Sequence, residues 1–508
     1  MAHHFMDPQL DSVLSSLNTH TLTLEEVYDN LDQEILQLQR RLSALQTFRN
    51  SLSPISKFPT ELLSKIFSDT QEFGDLPLTN DIDLKTRFSL SWVCRRWRNT
   101  ALATPNLWTI ISMENRDAPV SFDFSQELLV RSRNCHLTIN FVQPTSDLLD
   151  AFIPQMHRIK HIRVSKLRTY DTPEFDIFLS QAAPVLVSLE FASVDIDRTS
   201  PMFLGEHPRL QSLVIADLWL LTPSSLITSL LTRLHIRSFH DCFPVNYLID
   251  ILPSLQDLAE LVLDVSLDDI NTHPDERIRL PRLQSLIITD DFSGLVFDFL
   301  KCLDIPQTPI TLIWPEGAGW SNEAKEEFYQ GFDGYQQVAP IPISHLKVDR
   351  ENPDKVIIDI SSTLSQHSYS FQFPAQQFGS DDTETFVSHL SLQNLKTLST
   401  SELPRRMLGT LMCVTTLSDV TLYGGTVVDK FTRELGLGVW FLGLKRLTIC
   451  RTKGEFELER LRQALAARHR AKIGLEEIVF VACSVVNELG FRAISKTTYL
   501  PISRAVLK

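Results

Sequence analysis

Glycine is scarce in this chain, 17 of 508 residues, roughly half the usual share, which counts against folds built on Gly-rich phosphate loops. Basic residues are outnumbered, 48 to 62 acidic, for a formal net charge of −14. That balance excludes a global electrostatic grip on nucleic acid or an anionic membrane, and neither is expected as a partner. Long apolar runs are missing as well. The densest, 210–221 and 185–191, are too short and too interrupted to span a bilayer. The seven cysteines are odd in number, widely spaced and free of any Cys-x-x-Cys pair, so they make neither a disulfide framework nor a zinc cluster. Free thiols fit a reducing compartment, and the opening Met-Ala-His-His-Phe-Met-Asp-Pro lacks the basic and apolar regions of a secretory signal. The expected location is intracellular, cytoplasm or nucleus.

Catalytic signatures are absent too. There is no Gly-x-x-x-x-Gly-Lys-Ser/Thr, no Gly-x-Ser-x-Gly and no His-Glu-x-x-His. His157 and His161 have a spacing that suits a metal, but no carboxylate or thiolate stands nearby in the sequence, and a solvated role is expected. The adjacent carboxylates Asp268–Asp269, Asp290–Asp291 and Asp381–Asp382 read as solvated loop tips. The basic run Arg460, Arg462, Arg468, Arg470 and Lys472 reads as a solvated helix face. No cofactor and no enzymatic activity are expected.

What is present begins with a heptad. From Thr23 to Ser53 there is no proline or glycine, and Thr23 with Glu26 forms a capping-box pattern. Leu24, Leu31, Leu38, Leu45 and Leu52 recur every seven residues, with Tyr28, Ile35, Leu42 and Arg49 at the alternate seam position. Residues 1–53 are therefore an N-terminal arm carrying a heptad helix over 24–52. Its stripe suits a homodimer or another partner helix, or packing on the chain's own downstream domain; the sequence leaves these open.

Residues 54–112 change character. Pro59-Thr60-Glu61-Leu62-Leu63-Ser64-Lys65-Ile66-Phe67 predicts a helix with Pro59 in its first position. The acidic stretch 69–83 reads as a loop. Thr86 to Ala101 predicts one helix with Leu90, Val93, Cys94, Trp97 and Ala101 inward and Arg95, Arg96 and Arg98 outward. Leu107 to Ile111 reads as an extended apolar segment. Pro59-x-Glu61-Leu62-Leu63-x-x-Ile66-Phe67, followed by Val93-Cys94-Arg95-Arg96-Trp97-Arg98, resembles the two halves of an F-box, and Ala101 to Trp108 is similar to F-box-like proteins common in fungi. Phe58 stands where that family usually has Leu, and the acidic insertion is longer than in compact F-boxes. The resemblance implies docking on a Skp-type adaptor, and through it on a cullin–RING ubiquitin ligase, by Pro59, Leu62, Leu63, Ile66, Phe67, Val93 and Trp97.

From residue 113 to 508 a phrase recurs: apolar-x-x-apolar-x-apolar. Its second apolar residue falls at 162, 189, 213, 234, 261 and 286, spacings of 21–27, then at 346, 420, 447 and 478. The period resembles leucine-rich repeats, although most copies lack the Asn or Cys that usually closes the turn. The phrase reads as a strand and the segments between as helices, for instance 456–470. Around 290–396 the period fails, with a helix expected at 322–332 and strands at 356–360 and 369–373. The fold class expected is α/β: a long N-terminal helix, a small helical F-box-like module and an irregular leucine-rich-repeat-like solenoid. An ordinary α/β domain of strand–helix units is the alternative. The implied function is a substrate-recognition subunit of an SCF-type ligase that holds an unidentified target protein on its repeats. A scaffold acting without a ligase is the second reading.

Overall fold

The computed structural model describes residues 24–70, 82–112, 122–142 and, with short gaps, 144–483, together with 502–505. The chain divides into two compact units, Met1–Asn140 and Phe141–Lys508, a later division than the boundary at 112 drawn from composition. The cause is a strand pair. Ile110–Ser112 (β1) runs parallel to Leu137–Val142 (β2), with Ile111 opposite Ile139, and this joins Thr138, Ile139 and Asn140 to the first unit.

The first described element of that unit is α1, Leu24–Ser51, a 28-residue helix with Glu25 and Glu26 in its first turn and Arg49 in its last, signs that suit the helix dipole. A 3-10 turn at Pro54–Lys57 leads to α2, Thr60–Asp69, with Pro59 at the N-cap rather than inside the helix. The acidic stretch that follows lies largely outside the described residues.

The single helix expected over Thr86–Ala101 is two, α3 (Ile82–Trp92) and α4 (Arg95–Leu102). Cys94 breaks them apart. Its backbone is extended (φ −161°, ψ 169°) and its sulfur accepts from Trp97 N at 3.5 Å, an N-cap that starts a new helix. The break changes the phase of the apolar stripe, so Val93, expected inward, is 56% exposed. The segment Leu107–Ile111 likewise divides, into a 3-10 turn at Pro105–Trp108 and then β1. Trp108 is the centre of the small core here. Its indole N–H donates to Ala101 O at 2.9 Å, Phe88 lies 5.5 Å away, and the Arg131 guanidinium of helix α5 (Phe122–Arg131) sits 4.9 Å above the ring.

The second unit is mixed α/β, built on a large and mainly parallel sheet. Its strands in chain order begin with β3 (Ile159–Ser165), β4 (Ser188–Phe191), β5 (Ser212–Ile215), β6 (Arg233–Arg237) and β7 (Glu260–Asp264). A small separate pair, β8 (Ile278–Arg279) and β10 (Leu303–Asp304), brackets β9 (Ser285–Thr289). Then come β11 (Pro309–Ile313), β12 (His345–Asp349), β13 (Lys355–Ser361), β14 (Ser368–Pro374) and β15 (Thr397–Thr400). Last are β16 (Asp419–Tyr423), β17 (Arg446–Cys450), β18 (Glu477–Val481) and β19 (Ile502–Ala505). Hydrogen bonding orders the sheet β3-β4-β5-β6-β7-β9-β11-β14-β13-β12-β15-β16-β17-β18-β19. Every neighbouring pair is parallel except those made by β13, which runs against both β12 and β14.

The recurrent phrase of the sequence has a direct structural meaning. Ile162, Leu189, Leu213, Leu234, Leu261 and Leu286 occupy one hydrogen-bonded row, each opposite the next, and all are buried. The row continues through Ile310, Tyr369, Ile360, Leu346, Leu398, Val420, Leu447 and Ile478. A period-two strand places alternate residues on one face, so a one-residue slip anywhere would expose the whole row. Just before each strand a backbone ladder joins neighbours: Gln211 N to Val187 O, Thr232 N to Gln211 O and Ala259 N to Thr232 O, each 2.8 Å. Main-chain bonds thus stack units whose sequences lack the turn-closing Asn.

The stretch where the period fails is still sheet, but its core is aromatic. Helix Asn322–Val338, longer than expected, presses Phe328 and Phe332 against Trp314, Phe371 and Phe386, with ring centroids 4.8 Å apart for Phe328–Trp314 and 5.6 Å for Phe332–Phe386. The strands expected at 356–360 and 369–373 are β13 and β14. The helix expected over 456–470 spans Leu458–Arg470 and buries Leu461 and Leu465.

Candidate protein-interaction surfaces

In the first unit, α2 separates its apolar residues by role. Leu63 and Phe67 are completely buried, and the Phe67 ring lies tilted 5.0 Å from that of the half-buried Trp97. Leu62 and Ile66, one helical turn apart, are 48% and 46% exposed. Pro59 and Phe58 are exposed beside them in sequence. Trp92 (70%) and Val93 (56%) stand out at the α3–α4 break. Arg96 fixes that break against the segment before α2 by donating to the carbonyls of Ser56 and Phe58. Ser64 Oγ and Thr104 Oγ1, 2.8 Å apart, tie α2 to the end of α4. Of the residues implied as adaptor contacts, then, Pro59, Leu62, Ile66 and Val93 face outward, while Leu63, Phe67 and Trp97 hold the module together. Trp92 was missed because an unbroken helix through 86–101 would have placed it elsewhere.

The seam of α1 is uncovered. Tyr28, Ile35, Leu38, Leu42, Leu45 and Leu52 are all exposed. A shallow groove of about 670 Å³ lies on the side of the helix away from the seam, lined by Leu36, Arg40, Thr47 and Phe48 and by Arg95 of α4.

In the second unit the buried row defines the opposite face of the sheet. Arg163, Glu190, Val214, His235, Val262, Ile287 and Thr311 lie opposite one another in register, and the row runs on through Ser370, Asp359, Lys347, Ser399, Thr421, Thr448 and Val479. These side chains are partly exposed. Ion pairs cross the strands: Arg163–Glu190 at 3.2 Å, Arg233–Glu260 at 2.7 Å, and Arg446 between Asp419 at 2.7 Å and Glu477 at 3.1 Å. Burial pulls the Lys347 ammonium down, but Asp349 and Asp359 more than offset it, so its pKa is raised. Burial first, then the Arg237 guanidinium, lowers His235 to about 4. It is therefore neutral at pH 7, and its Nε2 accepts from Arg237 Nε at 3.1 Å. On β5, β7 and β9 the face is apolar, at Val214, Val262 and Ile287. Along one edge runs an open groove of about 530 Å³ lined by His161, Ser188, Gln211, Thr232, Glu260 and Ser285. A long shallow strip with an apolar patch beside a polar run suits an extended stretch of another protein better than an enclosed small molecule.

Other sequence candidates find structural roles. Asp381 and Asp382 are not at a loop tip; they open the helix Ser380–Ser388. The Asp382 carboxylate there accepts from Gly379 N at 2.8 Å and pairs with Lys325 at 2.6 Å. Asp290 is buried and accepts from Leu267 N at 3.4 Å, whereas Asp268, Asp269 and Asp291 lie outside the described residues. Arg468, expected on a solvated face, is buried and donates to Trp440 O at 2.7 Å and Phe441 O at 2.8 Å. His157 is exposed with Nδ1 2.9 Å from Pro154 O. Among the described residues no group of three His, Cys, Asp or Glu is placed to hold a metal, and no helix is long and apolar enough to cross a membrane. No protein-family model matches the chain. No curated protein matches it in sequence.

Proposed function

We propose that the chain is a substrate-recognition subunit of an SCF-type ubiquitin ligase. Its first unit docks on a Skp-type adaptor and its second holds a target protein on the open sheet face. The observation that carries the reading is the outward apolar ridge of Leu62 and Ile66 on α2, together with exposed Trp92 and Val93 at the α3–α4 break, on a module whose own core is already filled by Leu63, Phe67 and Trp108. Exposed large apolar residues on a small module that is already packed are a recognised mark of a docking surface. In this reading the stacked strands are degenerate leucine-rich repeats, and the ubiquitin chemistry belongs to other subunits.

The test is co-purification of the full chain with a purified Skp-type adaptor, beside a Leu62→Asp, Ile66→Asp variant checked by circular dichroism. Both sites are exposed, so the variant is expected to fold and to lose the adaptor. A folded wild type that ignores the adaptor refutes the reading. A scaffold without a ligase is the second reading, favoured by the uncovered seam of α1.

A further inference from the structure

We infer that α1 pairs with α1 of a second copy of the chain, and that the two helices run antiparallel. The heptad seam is exposed at Tyr28, Ile35, Leu38, Leu42, Leu45 and Leu52 and half-buried at Leu31, and an apolar stripe of that extent in water is unstable as a lone helix. Its charges decide what covers it. Residues 24–34 carry Glu25, Glu26, Asp29, Asp32 and Glu34 and no basic residue, while residues 35–53 carry Arg40, Arg41 and Arg49 and no acidic one. A parallel pair would lay acid on acid and base on base, and it would set Arg49 against Arg49 in the seam. An antiparallel pair lays the acidic half on the basic half of its partner.

The charges also select a register. With Ile35 of one copy facing Leu38 of the other, the layers are Tyr28–Leu45, Leu31–Leu42 and Ile35–Leu38, each occurring twice by symmetry. Glu34 of one copy then flanks Arg41 of the other, again twice. Shifting by one heptad toward the C-terminus sets Arg41 beside Arg41. The antiparallel order also carries the two ends at Ser51 to opposite ends of the pair, roughly 45 Å apart at 1.5 Å per residue, which leaves room for the modules that follow.

Sedimentation of the full-length chain across a micromolar concentration series tests this with three variants. The wild type is expected to dimerise. Glu34→Arg alone and Arg41→Glu alone each place like charges at two contacts and weaken the dimer roughly tenfold. An equimolar mixture of these two variants restores both opposite-sign contacts and is expected to recover wild-type affinity as a mixed dimer. The third variant, Leu42→Asp, changes an exposed seam position and is expected to be monomeric with its sheet intact by circular dichroism. In a parallel dimer Glu34 faces Gln39 and Arg41 faces Gln46, so single charge reversals would change little. That insensitivity, a failure of the mixture to recover, a dimer that survives Leu42→Asp, or a monomeric wild type each overturns the inference.

Discussion

Leu62 and Leu63 are neighbours of identical chemistry, and α2 points them in opposite directions. Truncating each to alanine therefore separates packing from surface. Leu63 has no exposed surface and lies on the side of α2 that meets Trp97 through Phe67. Removing its side chain loses the transfer term and leaves a cavity, about 2–5 kcal/mol for a buried leucine. Leu62 is 48% exposed, so Leu62→Ala forfeits only part of the burial and leaves no enclosed void; the expected cost is about 0.5–1 kcal/mol. Native-state hydrogen exchange reads the difference locally, at the α2 amides of Leu63, bonded to Pro59 O at 3.2 Å, and Thr70, bonded to Ile66 O at 3.3 Å. Leu63→Ala is expected to raise exchange there by roughly a hundredfold, at about 1.4 kcal/mol per decade, and Leu62→Ala by less than about fivefold. Equal effects would refute the division of α2 into a packed and an outward side, and with it the ridge on which adaptor docking is argued.

Two further outcomes follow from the second unit. At Gly443 a Cβ would meet the Thr415 carbonyl oxygen at 2.1 Å and the Leu417 carbonyl oxygen at 3.2 Å, and backbone cannot step aside cheaply. Gly443→Ala is expected to cost about 1–3 kcal/mol, read as a lowered thermal midpoint; an unchanged midpoint would mean the two turns are not in contact. His235 titrates at about 4 in the folded chain against 6.5 for a free histidine. The unfolded state therefore takes up a proton first as pH falls, and stability is lost between about 6.5 and about 4. His235→Gln should flatten that part of the stability–pH curve relative to wild type, and an unchanged slope would show that His235 is not held neutral.

Much of the sheet was legible in the sequence, because a strand that packs on one side repeats its apolar residues at fixed spacing. The phrase marked Leu189, Leu234 and Leu447, and they stand in one row. It missed β15, where the third apolar position is Thr400, a buried threonine whose hydroxyl donates to Glu402 O. It also missed β11, where Gln307 occupies the first position. Between them the core is filled by Phe and Tyr from a long helix packed on Trp314, Phe371 and Phe386, and aromatic packing follows no leucine period. The outward ridge was only half legible. The spacing of Leu62 and Ile66 gave a helix face but not its direction. Val93 was misdirected because a cysteine sulfur acting as a helix cap leaves no pattern that a serine or aspartate would. The residues of the open sheet face depend on register across β12, β13 and β14, which composition does not encode.

The reversed strand β13 bears on how the sheet assembles. On both sides of it, most strands dock on one made about 20–30 residues earlier, a cheap loop to close. The junction differs. β11 meets β14, with Pro309 opposite Ser368, and β12 meets β15, with His345 opposite Thr397, so each crossover skips over two strand places. Contacts that distant in sequence form late and slowly. Two arrays, β3 to β11 and β15 to β19, therefore zip quickly as separate nuclei, and the β12–β13–β14 meander closes the gap between them last. Until it does, β11 and β15 are bare edges open to pairing with another chain. The point of slowest folding is thus also the point most exposed to aggregation, and denaturant should divide the sheet there before it melts either array.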